Sequence, residues 1–289
     1  MRIAIIGGAG KMGRWFADFL LQDGKEVVIS GRTQSKLLEV GRELGVEVAS
    51  NVEAVKKADA VLLSVPIESF EEVVREISPY IKPGQTVIDI TSIKVFPVAT
   101  MHKHLKTERI LGAHPLFGPG ARGITNQNFV LTPTNDEERA LAQKIREYLE
   151  ARGAKVSLMT PEEHDQKMAL ILGLSHFIAI VSADTLLSAD KPKPPQPVGG
   201  ITYKVLLTLV ESVISENPEL YASIQMSLPH VAEIEALFQR KVAEWAELVQ
   251  SKDRGEFVRR MKVLKEELEK NNPDFGKAYQ NMYRLVSEL

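Results

Sequence analysis

The sequence predicts an α/β fold in two domains: a doubly wound parallel sheet over residues 1–160 and an all-helical domain over residues 161–289. Three observations carry this. Short Ile- and Val-rich runs alternate with helical-period segments as far as Leu158, the pattern of a parallel sheet with crossover helices. The first run enters a glycine-rich turn that leads straight into a helix. After Thr160-Pro161 the apolar period is helical throughout, with no convincing strand.

Arg2-Ile3-Ala4-Ile5-Ile6 is too short for a helix and suits a strand buried on both faces. It runs into Gly8-x-Gly10-x-x-Gly13, with Lys11 and Met12 between the last two glycines, and the spacing over residues 14–21 is helical. Strand, glycines and helix in that order form the Rossmann-like dinucleotide fingerprint. The first glycine permits the tight turn, the second lets backbone approach a pyrophosphate, and the third lets helix pack on strand. The helix N-terminus adds free N–H groups and a positive dipole end.

Residues 25–31 are predicted as the second strand. Where an acidic side chain commonly holds the adenosine ribose, this chain has Ser30-Gly31-Arg32-Thr33, with Lys36 a turn further on. An Arg fork suits a 2′-phosphate, so NADP is expected over NAD. Helix 35–44, strand 46–49, helix 52–57 and strand 60–65 follow, and Pro66 closes the last of these. Ser64-Val65-Pro66 is expected beside the cofactor, because open parallel sheets bind ligands at the carboxyl ends of their strands.

Helix 69–77, a turn at Lys82-Pro83-Gly84 and strand 86–90 lead to Thr91-Ser92-Ile93-Lys94. Strand 110–113 enters His114-Pro115-Leu116-Phe117-Gly118-Pro119-Gly120. Strand 128–132, a charged amphipathic helix 136–152 and strand 154–158 complete the sheet. In the helical part, Pro161-Glu162-Glu163-His164-Asp165 starts a helix with acids in its first turn. The proline- and glycine-rich residues 189–200 are expected as an exposed loop between long helices. The Lys/Glu-rich residues 259–270 form a solvated helix face.

Composition excludes several classes. Hydrophobic content of 44% and charged content of 26% are those of a soluble globular protein. A net charge of −2 gives no reason to expect nucleic acid or an anionic membrane as partner. No cysteine means no disulfide, thiolate metal site or thiol nucleophile. The first strand leaves no room for a secretion signal, and no apolar run approaches the ~20 residues that span a bilayer. A cytoplasmic location is expected.

Six histidines are present. His102 and His104 fall on a predicted helix, and His230 lies late in the helical part. His114 stands at the carboxyl end of a strand, in a loop stiffened by Pro115 and loosened by glycines, where cofactor and substrate would meet. A histidine there can act as general base near neutral pH, with Ser92 at the end of the neighbouring strand fixing its ring by a hydrogen bond. His164 and Asp165 are adjacent rather than on one helical face, so no metal site is expected. No nucleophile elbow is present. Hydride transfer to a nicotinamide remains.

Further stretches carry a resemblance: Leu63-Ser64-Val65-Pro66, Asp89-Ile90-Thr91-Ser92-Ile93-Lys94, His114-Pro115-Leu116-Phe117-Gly118, Glu163-His164-Asp165-Gln166, Ser175-His176-Phe177 and Asn217-Pro218-x-Leu220-Tyr221-Ala222. With the glycine turn they resemble the prephenate dehydrogenase family, whose members make a tyrosine precursor from prephenate or arogenate. The resemblance implies a nucleotide-binding N-terminal domain and a helical C-terminal domain that forms a homodimer. It implies oxidative decarboxylation, for prephenate to 4-hydroxyphenylpyruvate. Carried over, His114 would take the proton of the ring hydroxyl as hydride leaves for the nicotinamide. Ser92 would orient His114 and touch both hydroxyl and nicotinamide. His176 would help hold substrate, with His164 behind the contacting groups.

Some family members place an Arg where this chain has His230, and that Arg binds a substrate carboxylate. His230 would serve there only with a raised pKa, and Lys204 is the other cation at a suitable place. Prephenate and arogenate both stay open as substrate. The alternatives are another NADP oxidoreductase of this architecture, such as a β-hydroxyacid dehydrogenase or imine reductase, and a non-catalytic NADP-sensing dimer.

Overall fold

The computed structural model describes residues 1–189 and 199–287, so most of the expected proline-rich loop lies outside the described residues. The chain forms two compact units, Met1–Met168 and Ala169–Leu289.

The first unit holds strands β1 (Arg2–Ile6), β2 (Glu26–Ser30), β3 (Glu47–Val48), β4 (Ala60–Leu63), β5 (Thr86–Asp89), β6 (Ile110–Pro115), β7 (Asn128–Thr132) and β8 (Lys155–Leu158). Its helices are α1 (Lys11–Gln22), α2 (Gln34–Leu44), α3 (Asn51–Lys57), α4 (Ile67–Ile77), α5 (Val95–His104), α6 (Asp136–Glu150) and α7 (Pro161–Met168). The strands form one sheet in the order β3-β2-β1-β4-β5-β6-β7-β8. Strand alternation feeds two cores: Ala4 and Ile6 pack with Val55, Phe70 and Val98 on one face, Ile3 and Ile5 with Phe16, Leu37 and Leu149 on the other.

The sheet is not parallel throughout, as the sequence had suggested. β7 runs antiparallel to β6, and β8 runs parallel to β7. Residues 116–127, which join β6 to β7, contain no helix, and a parallel return needs a crossover. Along β1, β4, β5 and β6 the register pairs Ile6 with Leu63, Leu63 with Asp89 and Asp89 with Gly112. The carboxyl ends of these four strands therefore lie on one edge of the sheet.

Helix α7, the first helix after the expected 160/161 division, packs within the first compact unit. Its His164, Asp165 and Met168 are buried there.

The second unit comprises a π-helical turn (Ala169–Leu174) and helices α8 (Ser175–Ala189), α9 (Ile201–Ile214), α10 (Pro218–Ser227), α11 (Val231–Gln250), α12 (Arg254–Asn271) and α13 (Ala278–Ser287). It has no strand among the described residues. Asn217 caps α10 by accepting from the Glu219 N–H, with Pro218 at the first helical position where no N–H is needed. In the π turn the Gly173 carbonyl accepts from Gln225 Nε2 at 2.9 Å.

One helical run, Pro161–Ala189, is long and apolar enough to cross a membrane by length and composition. The expectation of no such run counted uninterrupted apolar residues. Here Ser175, His176, Ser182 and Asp184 punctuate the stretch, yet its mean hydropathy stays high.

Candidate active site

The glycine turn sits at the carboxyl end of β1. The residue that makes the turn is Gly7 (φ +89°), not Gly8 as the spacing suggested. A Cβ on Gly7 would lie 2.1 Å from the Ser64 carbonyl oxygen. Gly8 abuts Ile29, where a Cβ would come within 2.6 Å of the Ile29 Cβ. On Gly13 it would lie 2.2 Å from the Gly7 oxygen, so the third glycine does let helix close on turn. The Gly7 and Gly8 N–H groups donate to the Ser30 carbonyl at 2.8 and 2.9 Å, tying the turn to β2.

Helix α1 begins after Gly10 with no side-chain cap and no acid in its first turn, and Gly10 and Lys11 are exposed. Met12 is half-buried against the core. Ser30 Oγ is buried without a hydrogen-bond partner at the end of β2. A backbone cradle that no side chain could share, an uncapped helix N-terminus and an orphaned hydroxyl fit a dinucleotide. Arg32 and Lys36 are exposed and form no ion pair among the described residues. Thr33 is the N-cap residue of α2 but makes no side-chain cap bond, and the first turn of α2 has no acid.

At the end of β4, Ser64 and Val65 are half-buried and Pro66 is exposed. Ser92, just beyond β5, is half-buried. His114 is buried near the end of β6. The loop after it is anchored to α1: Trp15 Nε1 donates to the Ala121 carbonyl at 2.7 Å, and the Trp15 and Phe117 rings meet edge to face at 4.9 Å.

The group that holds the His114 ring is not Ser92, which makes no hydrogen bond to it. His114 Nδ1 lies 2.8 Å from His164 Nε2, and His164 Nδ1 lies 2.7 Å from Asp165 Oδ1. The Asp165 carboxylate also accepts from the backbone N–H of Lys94 (2.7 Å) and of Val95 (2.9 Å). Lys94 is wholly buried; its Nζ pairs with Asp89 and donates to the Ala113 carbonyl at 2.7 Å. Asp89 in turn accepts from Thr91 through its N–H (2.7 Å) and hydroxyl (2.6 Å).

Burial holds the His114 imidazole well below the usual histidine range, and the charges of His164 and Lys94 act in the same direction. Burial also lowers His164, against the pull of Asp165. For the Lys94–Asp89 pair, burial pushes the carboxyl up and the ammonium down, and their attraction opposes both. His164 is wholly buried behind His114, so it contacts the base rather than substrate.

The remaining predicted residues lie in the second unit. His176 is half-buried, its Nδ1 has no hydrogen-bond partner, and its ring meets Tyr221 edge-on at 4.7 Å. Burial lowers its pKa. Lys204 is exposed and forms no ion pair among the described residues. His230 caps α11 in a left-handed conformation, and its Nδ1 lies 3.0 Å from Glu233 on the surface. Exposed His102 lies 3.0 Å from the buried Glu138, and half-buried His104 lies 3.0 Å from Glu71. Among the described residues no group of acids and histidines could hold a metal ion.

Sequence reasoning missed Gly7, Lys94 and Asp165 as site residues. Lys94 and Asp165 stood inside the motifs that carry the resemblance, and that was their only signal.

Two family models match the chain. The model described as prephenate dehydrogenase, nucleotide-binding domain, matches residues 16–158, and that described as prephenate dehydrogenase, dimerization domain, matches residues 160–263. A Methanocaldococcus jannaschii protein named probable arogenate/prephenate dehydrogenase is 38% identical over 267 residues, covering 91% of this chain and 60% of that protein. The T-protein of Haemophilus influenzae is 29% identical over 82% of this chain and 59% of its own length. The chain thus spans about three fifths of the length of these relatives. Among solved structures, a prephenate dehydrogenase from A. aeolicus in complex with hydroxyphenyl propionate and NAD+ shares the fold at TM-score 0.77 and 22% identity, over 94% of this chain and 98% of that one. A Synechocystis arogenate dehydrogenase does so at TM-score 0.69 and 21% identity, over 94% and 100%. From two domain models that between them reach from residue 16 to residue 263, this chain belongs to the prephenate dehydrogenase family.

Proposed function

We propose that this chain catalyses nicotinamide-dependent oxidative decarboxylation of prephenate to 4-hydroxyphenylpyruvate, with NADP preferred over NAD. The observation that carries the reading is a buried imidazole, its charged form disfavoured by that burial, on the glycine-turn edge of the sheet. His114 stands three strands from Gly7, about 14 Å at the usual strand spacing. Its Nδ1 is engaged by His164, which leaves Nε2 as the nitrogen for a ligand.

The nicotinamide, when bound, supplies the hydride acceptor. The turn from Gly7 to Gly13 and the first amides of α1 hold the pyrophosphate, and Arg32 and Lys36 hold a 2′-phosphate. His114 accepts the ring hydroxyl proton at Nε2, which a neutral imidazole can do and an imidazolium cannot. Ser92, on the same edge, is available to the same hydroxyl. Loss of carbon dioxide then makes the ring aromatic, which drives the reaction. His176, with its unpartnered Nδ1, helps hold substrate. Lys204 is the better carboxylate partner, because His230 already faces Glu233. The helical domain forms a homodimer, in keeping with the dimerization model it matches.

The name of the M. jannaschii relative covers both substrates, and arogenate is the second reading. Rates with prephenate or arogenate, each with NADP or NAD, test the proposal at the reduced-nicotinamide absorbance. The prephenate–NADP pair is expected to be fastest. Turnover of arogenate alone would transfer the assignment to that substrate. Cofactor binding without turnover in any pair would leave an NADP-sensing dimer.

A further inference from the structure

We propose that His164, Asp165 and Lys94 are positioning residues that hold His114 in the one neutral tautomer with a free lone pair at Nε2. The inference rests on the dehydrogenase reading of His114 and adds the means by which the base is kept ready.

Asp165 receives backbone N–H donors on both oxygens, Lys94 N on Oδ1 and Val95 N on Oδ2. With a donor on each oxygen, this carboxyl serves the cluster as an acceptor on both, since a proton on either oxygen would face a donor. His164 Nδ1, 2.7 Å from Oδ1, must then be the N–H of that pair. Burial disfavours the charged form of His164, and the neutral ring with its proton on Nδ1 has only a lone pair at Nε2. His114 Nδ1, 2.8 Å from that lone pair, must in turn carry a proton. Its Nε2 is left bare. The opposite arrangement would set a His164 lone pair against the Asp165 carboxylate, with no donor between them.

Lys94 secures both ends of this chain. Its backbone N–H fixes Asp165, and its buried ammonium holds the Ala113 carbonyl, one residue before His114. Asp89, itself gripped by Thr91, balances the ammonium. The charged and titratable groups around the base are thus His164 and Asp165 from α7, Lys94 at the start of α5 and Asp89 from β5. None of these is a surface contact, which is the condition for a single tautomer to persist.

The test begins with the unaltered full chain, labelled with ¹⁵N in its histidine rings. Correlation of ring nitrogens with ring protons at neutral pH is expected to show His114 and His164 both neutral and both protonated on Nδ1. Assignment comes from His114→Gln and His164→Gln. A His114 ring protonated on Nε2 overturns the proposal, and so does His164 in that form. The second arm is Asp165→Asn, whose amide must present N–H to one of the three donors. The expected result is a kcat lower by about 100-fold with cofactor affinity and KM nearly unchanged, as for other groups that orient a catalytic histidine. A wild-type kcat in a folded Asp165→Asn protein also overturns it. Failure of the dehydrogenase reading shows separately, as no turnover by the unaltered chain in any substrate–cofactor pair, and the ring spectrum decides the tautomer either way.

Discussion

A histidine in the base role proposed for His114 must be neutral when substrate arrives, and burial favours that form. Because the shift is downward, the charged form is disfavoured in the fold. Activity is therefore lost on acidification only as pH falls through a value below the ordinary ~6.5 of imidazole. A pH profile of kcat/KM is expected to show its acid limb there; a limb at or above ~6.5 contradicts a buried neutral base. The same shift carries a stability cost. The unfolded chain binds more protons than the fold once pH drops below ~6.5, so stability is full above that value and declines below it. Replacing His114 by Asn removes the lone pair while leaving the glycine turn untouched. Turnover should fall by about 10²–10⁴-fold with cofactor affinity retained, as measured by steady-state rates and fluorescence titration. His114 was legible in the sequence because it follows a strand in a glycine-rich loop. Asp165 was not, since its importance comes from two backbone donors 71 and 70 positions away.

At the scale of the elements, the glycine turn shows most directly how sequence becomes function. Gly7 has φ +89°, a region L side chains avoid, and no room for a methyl beside the Ser64 carbonyl. Gly7→Ala should destabilise the first unit by more than about 1 kcal/mol and weaken cofactor binding together, read by thermal unfolding and by titration. Arg32→Ala, on an exposed loop, should leave stability unchanged and lower the preference for NADP over NAD by about 10-fold or more, the worth of a charged hydrogen bond to phosphate. An unchanged ratio would return Arg32 to a solvated loop charge. The order of strands and helices was readable because burial on both faces leaves near-continuous apolar runs. Strand direction was not: the run from Asn128 to Thr132 is the same whether it lies parallel or antiparallel to β6, and only the missing crossover helix in residues 116–127 distinguishes them. The π turn at Ala169–Leu174 was equally silent, because Gln225, from another helix, is what satisfies its Gly173 carbonyl.

For the whole molecule, the question is what covers the helical unit. Its helices expose Leu170, Ile171, Val181, Leu187, Leu209, Ile214, Leu237 and Val242 to solvent. Scattered exposed leucines need no explanation, but a run apolar enough to pass for a membrane span that is left largely unburied in a single chain does. The polar punctuation of that run by Ser175, His176, Ser182 and Asp184 argues for a protein partner over lipid, because hydroxyl, imidazole and carboxylate groups are costly in hydrocarbon. The match of residues 160–263 to a model described as a dimerization domain is in keeping with the second copy proposed above, and a net charge of −2 opposes its approach little. Light scattering at micromolar concentrations should accordingly give twice the 32.1 kDa of one chain, insensitive to salt because apolar burial rather than ion pairing would hold the pair. Val181→Asp, which would place an unpaired carboxylate at an exposed apolar position of α8, should shift the population toward monomer while leaving the thermal unfolding of the nucleotide-binding unit in place. A monomeric unaltered chain, or a Val181→Asp protein dimerising as before, would take α8 out of the interface.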